Sequence, residues 1–202
     1  MPTRPVPSFN FADLFEALAD ADPGRLALAT SGGERLSYGA LDARANRFAH
    51  AIARLGAQRG DRVAVLAHNR VEWIDALLGC FKLGALPVNV NYRYRTPEIR
   101  HVLCDADPAV VVAEARLAGA VAECLPDLPR APAVLAVPGP GVALPAGALD
   151  YDSALAEASP DRGFPPRSGD DGYLLYTGGT TGLPKGVLWT HENLLFGAAG
   201  GG

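Results

Sequence analysis

Strand-like and helix-like segments alternate along most of this chain, and this alternation restricts the fold more than any other feature of the sequence. Short apolar, β-prone runs are separated by amphipathic segments; the runs lie at 25–29, 62–67, 86–90, 109–113 and 133–137. Strands joined by covering helices lie parallel in one sheet, because each helix returns the chain to the same edge. The sequence therefore predicts an α/β fold with mostly parallel sheets covered by helices.

Capping residues predict where several helices start. Ser37 is a suitable cap for the second predicted helix. Asn69, followed three residues later by Glu72, resembles a capping box and predicts the start of the third helix. Thr96 before a proline predicts the start of the fourth helix, which we expect to end at about Cys104.

Composition and charge argue against several classes of function. The net charge is −4 and there is no basic run, which disfavours electrostatic binding to nucleic acid and provides no polybasic membrane signal. The N-terminal segment lacks the apolar core of a secretory signal, and no apolar run could span a bilayer. We therefore expect a cytoplasmic protein without a transmembrane segment. The unevenly spaced cysteines are expected to be free buried thiols and not a zinc or disulfide site: Cys80, Cys104 and Cys124.

The segment 177–186, which reads TGGTTGLPKG, has the composition of a loop that holds a polyphosphate. Glycine permits close approach of the backbone to a ligand and positive φ angles. Successive backbone N–H groups then form an anion-binding concavity, to which threonine hydroxyls and Lys185 add donors and charge. The segment is not a Walker A motif, because Pro184 precedes the lysine and Gly186 follows it, where that motif has glycine and then serine or threonine.

Both flanks of this loop are β-prone. The run 172–176 reads as a buried strand, and Val187 to Trp189 reads as another. The loop is therefore expected to join two strands, so its own N–H and O–H groups would contact the phosphates. A helix beginning near Thr190 would follow, and the chain ends soon after it at Gly202.

Several stretches together resemble the adenylate-forming enzymes, which include acyl- and aryl-CoA synthetases, luciferases and the adenylation domains of peptide synthetases. YTGGTTGLPKGV followed by THENL is similar to the signature phosphate loop of that family. FADLFEALADADPGRLAL resembles its opening, and the stretch from GDRVAVLAHNRVEW to RTPEIRHVL resembles the acyl-CoA synthetase branch. VNVNYRY with LLYTGGTTGLPKGV is most similar to bacterial ligases for long-chain fatty acids or steroid side-chain acids. The resemblance covers about 9–196 and is looser over 127–165.

The resemblance implies that residues 1–202 are an incomplete N-terminal AMP-binding domain, part of the large domain of an adenylate-forming enzyme. By the same resemblance, a set of loop residues would contact or shape the β- and γ-phosphates of ATP: Thr177, Gly178, Gly179, Thr180, Thr181, Gly182 and Lys185. The hydroxyls of Thr180 and Thr181 are the first choice as direct donors, while Lys185 would either pair with phosphate or remain solvated. The catalytic residues and the Mg²⁺ ligands of the family would lie beyond residue 202.

The implied reaction is that of an acid–CoA ligase. A carboxylic acid and ATP, with Mg²⁺, would give an acyl-adenylate and pyrophosphate; coenzyme A would then displace AMP to form the thioester. Small molecules are thus the expected partners, and peripheral membrane contact is compatible with lipophilic acids. Two alternatives stay open: an adenylation domain that loads a carrier protein, and a non-catalytic product of a truncated gene. The 202-residue chain alone is expected to have no ligase activity.

The remaining conspicuous side chains are interpreted as structural. His191 is expected to pack beside a helix cap and not to act as a general base. Trp73 and Phe81 lie on an apolar helix face and are expected in the core. The sequence shows no recognisable partner for the other histidines, which are His50, His68 and His101. No catalytic role is predicted for the polar residues of the NVNYRY segment, which are Asn89, Asn91, Tyr92, Arg93 and Tyr94.

Overall fold

The computed structural model describes residues 9–178 and 182–198. The strands are β1 (Leu26–Ala29), β2 (Arg35–Ser37), β3 (Arg62–Leu66), β4 (Leu86–Asn89), β5 (Val110–Glu114), β6 (Ala133–Val137), β7 (Leu149–Asp150), β8 (Gly172–Thr177) and β9 (Lys185–Thr190). The helices are α1 (Phe11–Ala21), α2 (Tyr38–Arg54), α3 (Val71–Leu83), α4 (Thr96–Ala106), α5 (Ala118–Cys124), α6 (Tyr151–Ala156) and α7 (His191–Ala198), with a 3-10 turn at Leu125–Asp127.

A seven-stranded sheet in the order β7-β6-β5-β3-β4-β8-β9 organises the fold, and β1 pairs with β2 in a separate antiparallel hairpin. Six of the seven strands are parallel to their neighbours, and β9 pairs antiparallel to β8. Strands β3 and β5 are central, and nearly all of their residues are buried, as expected for parallel strands covered on both faces. The predicted α/β fold with a mostly parallel sheet is confirmed.

Helices cover both faces of the large sheet. Val63 and Val65 of β3 pack in a cluster with residues of α2, α3 and α6. Ala64 and Leu66, which point to the other face, pack in a cluster with residues of α4 and α5. Phe81 is buried, as predicted, and Trp73 packs against the first cluster but stays partly exposed beside a cleft of about 490 Å³. The three cysteines are free; Cys104 is only partly buried.

The predicted capping box of α3 is wrong. The helix begins at Val71, and Asn69 lies outside it. Glu72 is the second residue of the helix, and its carboxylate pairs with the guanidinium of Arg70 at 2.6 Å. A neighbouring cation attracts the carboxylate more strongly than an orphan N–H, since hydrogen bonds between charged groups are the stronger ones. The prediction for α2 is confirmed, because the Ser37 hydroxyl accepts the N–H of the third helical residue.

The start of α4 also differs from the prediction. Thr96 is the first residue of the helix and not its cap, and Arg95 occupies the cap position. The Glu98 carboxylate accepts the N–H of Arg95 at 2.7 Å, so an orphan donor is satisfied by the acid and not by the threonine. The helix continues to Ala106, two residues beyond the predicted end.

A buried ionic cluster attaches the connection 159–171, which leads into β8, to the helices. The ammonium of Lys82 is completely buried, lies 2.7 Å from a carboxylate oxygen of Asp42 and also contacts Glu16. Arg162 pairs with Asp42 at 3.0 Å, and Arg167 pairs with Glu16 at 2.6 Å. Burial by itself would raise the pKa of Glu16, but hydrogen bonds from Arg167 and Lys82 outweigh it and lower that pKa. Each acid thus connects a helix to the segment that precedes the glycine-rich loop.

Candidate phosphate-binding site

The glycine- and threonine-rich loop closes a β-hairpin. Thr177 at the end of β8 pairs with Lys185 at the start of β9, and Tyr176 pairs with Gly186. The prediction that the loop joins two strands is therefore confirmed. A Walker-type loop leads from a strand into a helix and uses the helix N-terminus for phosphate; no helix follows directly here.

The hairpin turn lies at the carboxyl edge of the parallel strands. Because β8 is parallel to β4, the residues after Thr177 lie at the same edge as those that follow β3, β4 and β5. Ligands of open α/β sheets bind outside the carboxyl ends of the strands. The position of the loop in the sheet is thus that of a ligand-binding segment.

Most of the described residues of the loop are exposed to solvent. Thr177, Gly178, Gly182 and Lys185 are exposed, and a Cβ atom placed on Gly182 would meet no atom within 4 Å. No ion pair involves Lys185 within the described ranges 9–178 and 182–198, so its ammonium is available to an anion. The other predicted contact residues lie outside the described residues: Gly179, Thr180 and Thr181.

For two described glycines of the loop, the backbone angle and the space around the Cα atom test whether the position could carry a side chain. Neither Gly178 nor Gly186 has a positive φ, so a left-handed backbone does not explain these two glycines. A Cβ on Gly186 would lie 2.9 Å from the ring of Tyr176, closer than real contacts allow. Gly186 therefore leaves room for the tyrosine ring to cross β9.

Asn89, to which the sequence assigned no role, ties the loop-bearing strand to the sheet. Its side-chain oxygen accepts the N–H of Tyr176 at 2.9 Å, and its side-chain nitrogen donates to the carbonyl of the same residue at 3.3 Å. This side chain replaces backbone pairing where the contact between β4 and β8 ends. Asn91 behaves as predicted, because its side chain accepts the N–H of Arg93 in a local turn.

Helix α4 contacts the hairpin on both sides of the loop. The Tyr176 hydroxyl donates to the Asp105 carboxylate, and burial together with this carboxylate raises the pKa of the tyrosine. His101 Nε2 lies 2.8 Å from the carbonyl oxygen of Pro184, the residue before β9. These partners were not found from the sequence; the only signal is that His101 and Asp105 are spaced four apart on one helix face.

A second polar cluster lies where β3 and β5 end. The buried carboxylate of Glu114 accepts the backbone N–H of His68 at 2.6 Å and pairs with Arg116 at 2.6 Å. Burial alone would raise the pKa of Glu114, but these hydrogen bonds lower it. The imidazole of His68 stacks on Tyr92 with ring centroids 4.0 Å apart. The cluster holds together the loops that follow β3, β4 and β5.

His191 packs inside the protein, as predicted. It is 1% exposed, its Nδ1 accepts the N–H of Phe11 at 3.1 Å, and its ring lies 4.4 Å from that of Phe81. Its Nε2 has no hydrogen-bond partner among the residues that the structure describes. Burial lowers its pKa to about 4, despite the opposing charges of Asp171 and Asp13. A neutral, enclosed imidazole is not placed as a general base.

The burial of His191 predicts an acid-sensitive stability. In the unfolded chain its pKa is near 6.5, so below that pH the unfolded state binds more protons than the folded state. The contribution of His191 to the free energy of unfolding should be fully present above pH 6.5, and it should fall by about 3 kcal/mol as the pH drops to 4. His191→Asn keeps an acceptor for Phe11 but cannot titrate.

Urea unfolding of both proteins at steps from pH 7 to 4 measures this effect. The wild-type curve should decline between pH 6.5 and 4.5, while the His191→Asn curve stays nearly flat. Buried carboxylates with lowered pKa values, such as Glu16, lose their contribution only at more acidic pH. Parallel curves for the two proteins would show that His191 does not carry the pH dependence.

Comparison with known proteins decides the family. The AMP-binding enzyme family matches residues 15–201, which is most of the chain. The chain belongs to the AMP-binding enzyme family. A medium/long-chain-fatty-acid–CoA/3-oxocholest-4-en-26-oate–CoA ligase of Mycolicibacterium smegmatis is 45% identical over 189 residues, and a 3-oxocholest-4-en-26-oate–CoA ligase of Rhodococcus rhodochrous is 42% identical over 189 residues.

Each of these two alignments covers 93% of this chain but only 34% of the relative, so the chain spans about one third of the length of these AMP-binding relatives. The crystal structure of a putative long-chain-fatty-acid CoA ligase from Rhodopseudomonas palustris superimposes with a TM-score of 0.83 at 31% identity. That match covers 95% of this chain and 47% of the solved chain. The α/β fold predicted from the alternation of strands and helices, and the family predicted from the resemblance, are thus confirmed.

The described residues contain neither a helix that could cross a membrane nor a cluster suited to a metal ion. No helix there combines the length and the apolar character needed to cross a membrane. Within the same residues, no group of three or more His, Cys, Asp or Glu side chains is arranged to hold a metal ion.

Proposed function

We propose that this chain is the N-terminal part of an ATP-dependent acid–CoA ligase that acts on fatty acids or steroid side-chain acids. The observation that carries the proposal is the hairpin between β8 and β9, whose residues Thr177, Gly178, Gly182 and Lys185 are exposed at the carboxyl edge of the sheet, in a chain 45% identical to such a ligase. Residues 1–202 would form an incomplete AMP-binding domain. The reaction would consume acid, ATP and coenzyme A and yield acyl-CoA, AMP and pyrophosphate.

The described residues fit a polyphosphate. Gly182 leaves open space beside the backbone, and the Lys185 ammonium is exposed opposite Thr177. ATP with Mg²⁺ would supply the activated phosphoanhydride, and the loop would hold the pyrophosphate portion while the acid carboxylate attacks the α-phosphorus. Thr177, Gly178, Gly179, Thr180, Thr181, Gly182 and Lys185 would donate to, or leave room for, the phosphate oxygens. Positioning and charge stabilisation of this kind are the main contributions of proteins to such reactions.

The chemistry of the substrates and the cysteines suggests a cytoplasmic protein. ATP and coenzyme A are intracellular metabolites, and the three cysteines are free and not paired in disulfides. The proposed acids are of the kinds for which the two related ligases are named.

A kinetic comparison tests the proposed role of the loop. The protein from the complete reading frame should catalyse acid-dependent exchange between ATP and pyrophosphate, and thioester formation with coenzyme A. Replacing Thr180 and Thr181 together with alanine should lower kcat/KM for ATP about 100-fold, because two donors to the phosphates are lost. Thr30→Ala removes a hydroxyl from the β1–β2 turn and should leave the kinetics unchanged.

The outcomes separate the possible functions. Wild-type exchange with transfer to coenzyme A supports the ligase. Exchange with transfer only to a phosphopantetheine carrier protein would show a carrier-loading adenylation domain instead, and the absence of exchange with any fatty or steroid acid would overturn the proposal. The 202-residue chain by itself should form no thioester, and a clear ATP- and CoA-dependent product from it would contradict the assignment of residues 1–202 as an incomplete domain.

A further inference from the structure

We propose that His101 is a positioning residue of the phosphate-binding loop, acting through the carbonyl group of Pro184. The inference rests on the proposed function of the loop as a phosphate site. It concerns residues on either side of the loop that the structure describes, and it assigns a role to a helix that lies outside the loop itself.

The contact between His101 and Pro184 has a defined direction. The distance from His101 Nε2 to the Pro184 oxygen is 2.8 Å, and a carbonyl only accepts, so Nε2 carries the proton. Pro184 is buried and immediately precedes Lys185 at the start of β9. Since proline has a fixed φ, holding its carbonyl also fixes the peptide plane that leads into Lys185.

A second contact from the same helix face holds the other side of the loop. Asp105, one helical turn after His101, accepts the hydroxyl of Tyr176, which is the penultimate residue of β8. Tyr94, just before α4, places its hydroxyl 3.7 Å from the position of a Cβ on Gly178. One helix and the segment that precedes it therefore contact both strand ends from which the loop emerges.

These contacts from α4 matter because β9 pairs with a neighbouring strand on one side only, where it lies against β8. It is the last strand of the sheet, and most of its residues are exposed; Leu188, for example, is 63% exposed. Groups that act on a reacting ligand must be held to within about 0.5 Å of their working positions. Loss of the contact at Pro184 should therefore weaken the binding of the nucleotide.

Three substitutions test the inference. His101→Leu removes the donor, His101→Gln places an amide N–H near the position of Nε2, and His50→Leu is the matched control. His50 Nε2 makes the same kind of bond, 2.9 Å to the carbonyl of Asp161, away from the loop. One neutral hydrogen bond corresponds to a change of roughly 3- to 12-fold.

The first measurement is steady-state ATP–pyrophosphate exchange by the protein from the complete reading frame. His101→Leu should raise KM for ATP about 3- to 12-fold with KM for the acid unchanged, while His101→Gln and His50→Leu stay within twofold of wild type. A merely structural histidine would lower the amount of active protein and leave KM for ATP unchanged, and that result would overturn the inference.

The second measurement does not depend on activity. Amide hydrogen exchange of peptides covering 177–190 should be several-fold faster in His101→Leu than in wild type, and unchanged in His50→Leu. If the wild-type protein shows no ATP-dependent exchange, the proposed function fails, and the amide exchange still decides whether His101 holds the loop. Equal amide exchange in wild type and His101→Leu would overturn the positioning role.

Discussion

Replacing Lys82 with methionine is expected to lower the free energy of unfolding by about 3 to 5 kcal/mol, the cost of breaking a buried ion pair from one side. The ammonium is 0% exposed and contacts Glu16 and Asp42, which are both buried. Without it, the two carboxylates lose their shared counter-ion in a site that is largely shielded from water. Their remaining cationic partners, Arg162 and Arg167, come from the connection before β8, so this segment should loosen as well.

Equilibrium unfolding in urea measures this effect, and Lys185→Met is the matched control. The same substitution at the exposed lysine should change the free energy of unfolding by less than about 0.5 kcal/mol. A decrease of less than 1 kcal/mol in Lys82→Met would show that the two arginines alone compensate the buried acids. Faster amide exchange over 159–171 in Lys82→Met would show that the cluster anchors the path to the loop.

Replacing Gly79 with valine is expected to cost about 3 kcal/mol, at the upper end of overpacking in a core. Gly79 lies where α3 packs against α2. A Cβ there would be 2.6 Å from the ring of Phe48 and 2.8 Å from the backbone oxygen of Ala45. Because part of the clash is with backbone, no rotation of a side chain relieves it, and the two helices must separate.

Gly119→Val is the matched control for this prediction. Gly119 also lies in a helix, and a Cβ there would meet nothing within 4 Å. The control should be neutral or slightly stabilising, since valine has a better helix propensity than glycine. Thermal unfolding of both variants measures the difference, and similar melting temperatures for the two would show that the α2–α3 contact is more adaptable than its geometry indicates.

Sequence patterns predicted the fold where each local signal agreed with its neighbours. The apolar runs of β3 and β5 read as buried strands because their residues are covered on both faces of the sheet. Ser37 was recognised as a cap because its hydroxyl acts within its own helix turn. The capping box predicted for Asn69 and Glu72 was wrong because Glu72 pairs with Arg70. Which of several possible partners a side chain contacts depends on distances in three dimensions.

The candidate site was predictable in its loop and not in its supports. The residue order 177–186 indicates a phosphate loop because glycine, threonine and lysine provide the required N–H, O–H and charge locally. His101, Asp105 and Asn89 contact residues more than 70 positions away in the sequence, so no spacing within a motif connects them to the loop.

By itself the sequence determined the class of fold, the joining of two strands by the loop and the membership in the AMP-binding family. The first two depend on short-range periodicity and on groups that lie within one segment, and the third on the resemblance of several local stretches to those of the family. Only the tertiary structure decided that the buried Lys82 holds two acids, that Gly79 is a close helix contact and that α4 supports the loop. Each of these is a meeting of side chains from distant segments, which follows from packing in three dimensions and leaves no local signature in the chain.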